Sequence, residues 1–506
     1  MQNPAPALLF FITVLYIGLA VMTALTMRPV CDEGWFSNPA VNLLTTGAMR
    51  TTVLDPTASF RGIKLQGIDR HTYWIMPFYI LAQAAWYRIA GFSLLSLRLF
   101  SVMWGLVALL CWYSILKRLS ASAAVALLAA ALLATDFHFL VAAGNGRMDM
   151  MTFALGSASL AAYLSLRERS LSRAVLVSQI LAAAALFTHP LGMVSVVGLA
   201  FVSLYSDWKR LRLRHAALGA VPYAVAAAAW AAYMLQSPSD FFAQFGTNAY
   251  GRILFPAAPL AALKKEISIR YLDQYGLAPD TPPASRIKIL ILATYAAGVL
   301  VACGTRSIRK DRGLRILLVL TAWTTVGVML LDSFAQPWYI VHLVSLPIAL
   351  LAVSVTYLWT SRRVPAAALV VVLGLAIAIQ LLVSGSRAVK NGRQDFLAAV
   401  TFLRDRLHGY HLVLASAEFA IPFGFDGRFV DDFRLGYYSG KRPDLIVMDT
   451  QRYGPWTELL QGQDPDNYRY IRDLLSSYRV VYDHGGYRMY ERPEPHPMEA
   501  ACQGRR

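Results

Sequence analysis

Long apolar runs, each near the length of a bilayer crossing and separated by short basic clusters, constrain this chain more than any other feature. Spans are predicted at 7–27, 97–116, 121–140, 150–166, 174–188, 190–206, 216–235, 287–303, 314–331, 338–359 and 364–384. The chain has 506 residues, of which 57% are hydrophobic and only 15% charged, a balance unlike that of a soluble protein of this length. The reading is a polytopic α-helical membrane protein of about 11 transmembrane helices. The first run lacks a basic leader and a small-residue cleavage site, so it is expected to be a retained helix.

The formal net charge of +17 raises nucleic-acid binding as one reading. The positions of the charges argue against it. Lys117-Arg118, 167–173, 209–214, 306–315 and Arg362-Arg363 all fall in short loops between apolar runs. This is the positive-inside pattern, which places these loops and the N-terminus in the cytoplasm and the C-terminal region outside. The apolar segment 75–90 is short and interrupted by Gln83 and Arg88. If it crossed the bilayer, every later basic cluster would move outside, so it is read as a helix at the outer surface. Of the four cysteines, Cys111 and Cys303 fall within apolar runs, and no pair of the four has metal-ligand spacing. No structural disulfide is expected.

Two external loops exceed connector length, 28–97 with surface helices and 236–286. Together with the spans they make residues 1–384 a membrane-embedded module. Residues 385–506 have ordinary charge density. There 396–407 and 471–478 read as helices, and 411–415, 444–448 and 479–482 as strands, predicting a small soluble α/β domain.

The chemistry-bearing residues gather around the external loops. Asp32-Glu33 follows the first span directly, where charge loses part of its hydration. A solvated turn is the plainer account of the pair. Arg147 and Asp149 lie in Gly144-Asn145-Gly146-Arg147-Met148-Asp149 at a membrane boundary, as functional groups or as an ion pair that fixes the turn. Lys64, Arg70 and His71 precede the surface helix and could meet a phosphate. His189, beside Pro190, is either a packing residue or a ligand. Tyr339 belongs to a Trp338-Tyr339 pair that also suits an interface belt. Arg252, in the second loop, is a phosphate candidate or a solvated charge. No P-loop, dinucleotide fingerprint, zincin motif or serine elbow occurs.

In order along 8–360, several short motifs resemble the GT-C superfamily of membrane glycosyltransferases. They are Cys31-Asp32-Glu33 and the long first loop, then Trp74-Ile75-Met76-Pro77-Phe78-Tyr79 ending at Ala90-Gly91-Phe92. Leu97-Arg98-Leu99, Arg147-Met148-Asp149, Thr188-His189-Pro190, and Trp338-Tyr339 before Leu346-Pro347 follow. The branch most resembled holds the protein O-mannosyltransferases and the bacterial lipid A aminoarabinose transferases, a glycosyltransferase family 39-like group. The tail pattern Asp431-Asp432, then Leu435-Gly436-Tyr437-Tyr438, resembles the tails of bacterial members.

The resemblance implies a multi-pass protein of a bacterial inner membrane, with a GT-C-like module and with its active site and C-terminal domain on the periplasmic side. It implies a hexosyl or pentosyl transferase that takes its sugar from a polyprenyl-phosphate donor and gives it to a glycan, lipid or protein acceptor. The family's first-loop acidic residue, a base or acceptor-positioning group, maps to Asp32 with Glu33 beside it, and the later acidic residue maps to Asp149. Related sequences often carry Lys-Pro-Pro or His-Pro-Pro before the surface helix, whereas this chain has Arg70-His71-Thr72-Tyr73. The phosphate ligand therefore stays open among Lys64, Arg70 and His71. The metal question is open as well: no cofactor is certain, and a divalent cation would find no obvious third ligand beside Asp32-Glu33. The mechanism expected is an inverting displacement with Asp32 as base. The rival is a transporter or scaffold for lipid-linked sugar or polysaccharide, which needs no carboxylate base.

Overall fold

The computed structural model describes residues 4–57, 59–60, 63–252, 258–451 and 453–493. Residues 253–257 of the second loop and Cys502 lie outside the described residues.

Each predicted span falls on helix. The first ten helices are α1 (Ala5–Thr26), α2 (Cys31–Thr46), α3 (Pro77–Ala90), α4 (Leu94–Leu119), α5 (Ala123–Thr135), α6 (Phe137–Ala143), α7 (Met148–Leu166), α8 (Leu171–Thr188), α9 (Gly192–Asp207) and α10 (Leu213–Met234). Later apolar helices are Ile289–Gly304, Arg312–Leu331, Val341–Thr360 and Ala366–Lys390. Among the described residues eight helices are long and apolar enough to cross a bilayer, and the bent pair α5–α6 makes a ninth. The predicted spans 150–166 and 190–206 are α7 and α9, which fall short of that measure. α9 has 16 residues, about 24 Å of rise. α7 is buried along most of its length, so Asp149 in its first turn faces protein rather than lipid.

The sequence predicts one straight span over 121–140, but the chain breaks there by 65°. Asp136 is the cause. Its carboxylate caps α6, accepting the N–H groups of His138 (3.0 Å) and Phe139 (2.9 Å). Tyr295 Oη (2.8 Å) and Gln380 Nε2 (3.0 Å) donate to its other oxygen, and Gln380 Oε1 accepts the Phe137 N–H. The break thus has its polar groups satisfied by neighbouring helices, as apolar surroundings require.

Four of the five basic clusters meet at one end of the bundle. Arg167 and Arg210 both pair with Asp207 at 2.9 Å. Arg312 donates to the carbonyls of Tyr205 and Ser206, and Gly313 packs so closely on the Leu119 carbonyl that a side chain would not fit. The long loops lie at the opposite end. Gln244 of the second loop accepts the Tyr73 N–H and donates to the carbonyls of Gln66 and His71, which sews the two loops together. α3 lies beside α2, α4 and α8, burying Tyr79, Ile80, Gln83 and Tyr87 while Leu81 and Ile89 stay exposed.

The first loop carries the short hairpin β1 (Ser59–Phe60) and β2 (Ile63–Lys64). The C-terminal region builds a sheet of β3 (Val413–Ala415), β4 (Phe429–Val430), β5 (Leu445–Asp449), β6 (Arg479–His484) and β7 (Tyr487–Glu491), in the order β4-β3-β5-β7-β6. β3 runs parallel to β4 and β5, while β7 is antiparallel to β5 and β6. Helices Gly392–Arg406, Tyr453–Gln463 and Pro465–Ser476 accompany it. The last apolar helix runs on through 384/385 to Lys390, where Asn391 at φ +41° turns the chain. The core beneath the sheet is continuous with that of the first loop: Trp35, Tyr79, Phe100, Phe396, Phe419 and Tyr487 belong to one cluster.

Candidate active site

The N-terminus of α2 and that of α7 are brought face to face by a wedge. Gly146, just before α7, donates its N–H to Glu33 Oε1 (3.1 Å), and its carbonyl accepts from Tyr79 Oη (2.9 Å). A side chain at Gly146 would strike Leu97, and one at Gly144 would strike Thr23 of α1. Only glycine permits this approach, and it sets the direction in which Arg147 leaves the turn.

Arg147 is the centre of the cluster. Its Nε donates to Asp149 Oδ2 at 2.8 Å, and its Nη1 contacts Asp32 Oδ2. Two aromatic faces flank the guanidinium, Phe36 at 5.4 Å and Trp338 at 5.0 Å from the ring centroids. Asp149 and Arg147 are buried, whereas the Asp32 side chain keeps 19% exposure. Of the three, Asp32 alone retains appreciable access.

Next to this triad stands a second set. Tyr339 Oη accepts from Arg252 Nη1 (3.0 Å) and meets His189 Nε2 (3.3 Å). His189 Nδ1 accepts the Leu191 N–H, which leaves the Nε2 proton for the tyrosine. Arg252 is held by Asp332 (3.6 Å), which also pairs with Arg270 (3.0 Å), itself bound to Glu266 (2.9 Å). Arg270 is wholly buried and anchors the second loop through the Gln336 carbonyl, at the start of the short helix Pro337–Ile340. His189 and His342 both act electrostatically on Asp149. Asp149 Oδ1 and His342 Nε2 are buried and have no hydrogen-bond partner among the described residues.

The predicted site residues divide in two. Asp32, Arg147, Asp149, His189, Tyr339 and Arg252 come together in these two adjoining sets. Glu33 does not join them. Its oxygens accept from Arg98 Nε (2.7 Å) and Nη2 (2.8 Å), from the Val30 N–H (3.0 Å) and from Gly146, and both side chains are fully buried. A carboxylate so engaged ties these segments together and lies apart from the Asp32 cluster, which separates Glu33 from Asp32 although the two are adjacent in sequence. Lys64, Arg70 and His71 face the second loop instead: Lys64 is exposed and bonds Thr247 through its N–H, Arg70 pairs with Asp240 (3.2 Å), and His71 stacks on Tyr73.

Sequence reasoning passed over His342, Asp332 and Arg270. The signal for His342 is its spacing, three residues after Tyr339 at a helix start. Asp332 closes an apolar run, where a charge wants a reason. Among the described residues no group of three or more His, Cys, Asp or Glu side chains is placed to hold a metal ion. Asp32 and Asp149 share one guanidinium, that of Arg147.

No protein-family model and no curated protein matches this sequence. Solved structures do match. ArnT from Cupriavidus metallidurans bound to undecaprenyl phosphate is similar at a TM-score of 0.56 and 16% identity, over 94% of this chain and 97% of that one. Its apo form gives a TM-score of 0.56 at 15% identity, over 96% and 98%. The Archaeoglobus fulgidus oligosaccharyltransferase tethered to an acceptor peptide gives 0.56 at 12% identity, over 96% of this chain and 74% of that one. The fold of this chain is therefore that of ArnT and of the archaeal oligosaccharyltransferase, over 94–96% of its length.

Proposed function

We propose that the protein is a membrane glycosyltransferase that moves a sugar from a polyprenyl-phosphate donor to an acceptor hydroxyl or amine. The observation that carries this reading is the convergence of Asp32 and Asp149 on Arg147, beside Tyr339, His189 and Arg252. The acceptor atom attacks the anomeric carbon from the face opposite the phosphate and inverts it. The bond from that carbon to the phosphate oxygen breaks, and its electron pair leaves with the polyprenyl phosphate. Asp32, the most accessible carboxylate of the triad, takes the acceptor proton. Arg252 is only half-buried and offers a guanidinium to the charge that grows on the departing phosphate. Asp149, through its unpaired oxygen, and His342 orient sugar or acceptor hydroxyls. The reading places the site on the outer face, because it lies at the end of the bundle away from the basic clusters. The tail from 385 onward then stands outside as a lid and support.

ArnT bound to undecaprenyl phosphate and the oligosaccharyltransferase tethered to an acceptor peptide support a lipid-phosphate donor and a separate acceptor. The test is conversion by the purified protein in detergent of a polyprenyl-phosphate sugar pool, scored for free polyprenyl phosphate and glycosylated acceptor. Appearance of both supports the transferase. Movement of intact donor across a vesicle without release of polyprenyl phosphate supports the transporter and overturns it.

A further inference from the structure

The C-terminal sheet reaches into the first loop one helical turn from Asp32. Asp431 follows β4 directly and is 1% exposed. Its carboxylate accepts the Trp35 indole N–H (2.8 Å), the Ala417 N–H (2.9 Å) and the Tyr453 hydroxyl (3.2 Å). Its backbone N–H donates to the Val53 carbonyl (2.7 Å), and Leu54 bridges it in parallel, extending the sheet edge into the first loop. Trp35 is itself buried, and its neighbour Gly34 lies so close to the Ala417 carbonyl that a Cβ would sit 2.4 Å from it. A second anchor grips the chain before α2. Arg28 donates to the carbonyls of Gly485 (3.1 Å) and Gly486 (3.2 Å), pairs with Asp449 (3.2 Å) and lies 3.9 Å over the Tyr487 ring.

We propose that the C-terminal sheet positions the Asp32-bearing first turn of α2, with Asp431 acting on Asp32 through Trp35 as a positioning residue. Asp32, Trp35 and Phe36 occupy successive places on one turn: Asp32 meets Arg147, Phe36 lies against the same guanidinium, and Trp35 is fastened to the sheet. A shift of the turn would move the carboxylate off the reacting atoms, and small displacements there are costly in rate. The link from Asp431 to turnover rests on the transferase reading. The clamp itself does not, so each has its own readout.

Cys31 reports the clamp. It is half-buried at the first position of α2, with its sulfur 3.7 Å from Asp32 Oδ1. In full-length protein in lipid nanodiscs, with Cys111, Cys303 and Cys502 changed to Ser, a water-soluble maleimide measures its access. Trp35→Phe and Asp431→Leu are expected to raise the Cys31 labelling rate on the order of tenfold, while Asp431→Asn, which keeps an acceptor for the indole, stays near the parent. Trp35→Phe and Asp431→Leu, with native cysteines, are expected to lose turnover at unchanged donor KM, and Asp431→Asn to keep it. Unchanged labelling in both Trp35→Phe and Asp431→Leu overturns the clamp, whatever the activity. Raised labelling with full turnover overturns the link to Asp32. If Asp431→Leu does not insert, Trp35→Phe reads the same contact from the other side. Absence of transfer by the parent itself defeats the functional reading and leaves the labelling result to decide the clamp.

Discussion

Asp32 and Glu33 are neighbours in sequence, and each meets an arginine, yet the two ion pairs are built for different ends. Glu33 and Arg98 are sealed from solvent, and Arg98 also donates to the carbonyls of Ala24 (2.7 Å) and Met27 (2.8 Å). That pair fastens α4, the end of α1, the start of α2 and the glycine wedge together. Asp32 shares its arginine with Asp149, keeps partial access to solvent, and lies beside unpaired polar atoms. A buried pair with every acceptor filled is expensive to break. A pair with spare capacity costs less to rearrange and can meet a substrate.

The sharpest way to break the comparison is Glu33→Gln. It leaves Arg98 charged and uncompensated in a sealed site, so it should cost about 3–5 kcal/mol and appear as loss of folded protein by size exclusion and thermal melting. Retention of the parent melting temperature would place Glu33 with Asp32 after all.

A second prediction concerns Asp431, whose carboxyl is pushed up to about 7 from an ordinary 3.8, first by burial and further by Asp432, against the donors Trp35, Ala417 and Tyr453. Glu418 and Cys31 also act on Tyr453 beside it. The folded chain therefore holds this proton more tightly than the unfolded chain between about pH 4 and 7. Its contribution to stability is present at low pH and is lost as pH rises toward 7, by about 1.4 kcal/mol per pH unit at most. Asp431→Asn should flatten that part of the pH dependence of the melting temperature.

Smaller effects separate the two halves of the site. Tyr339→Phe removes the hydroxyl shared by Arg252 and His189 and should lower kcat/KM by about 1 kcal/mol, several-fold, with little change in stability. Arg70→Ala should do least. Its side chain is 65% exposed and pairs with Asp240 at a loop junction, so less than about 1 kcal/mol of stability and no large share of turnover is at stake. A total loss of transfer in Arg70→Ala would return the first-loop cations to the centre of the site.

Much of this was readable in the chain. Apolar runs located all the long helices, because hydropathy at span length has few other causes. Short length, the interruptions at Gln83 and Arg88 and the charge bias set α3 apart from the spans, and its 14 residues are not among the helices long and apolar enough to cross. The bend at Asp136 was hidden, since one carboxylate inside an apolar run does not announce whether it caps a break. β7 was missed although Gly485-Gly486, both at positive φ, marks a hairpin between it and β6. β4, at two residues, is too short to carry a period. In the site, Asp32, Arg147 and Asp149 were legible as ionisable groups at a membrane boundary. The separation of Glu33 from Asp32 was not, because it depends on Arg98 arriving from another helix. The same holds for the Arg252–Asp332–Arg270–Glu266 chain, in which Glu266 and Arg270 share one helix but Asp332 arrives from another segment.

The most direct test of the central claim is the turnover of Asp32→Asn, measured as free polyprenyl phosphate released from a polyprenyl-phosphate sugar, with insertion and melting temperature checked in parallel. Loss of a base should cost about 10²–10⁴ in rate while the folded protein is retained. Parent-level release from a folded Asp32→Asn protein would contradict the account.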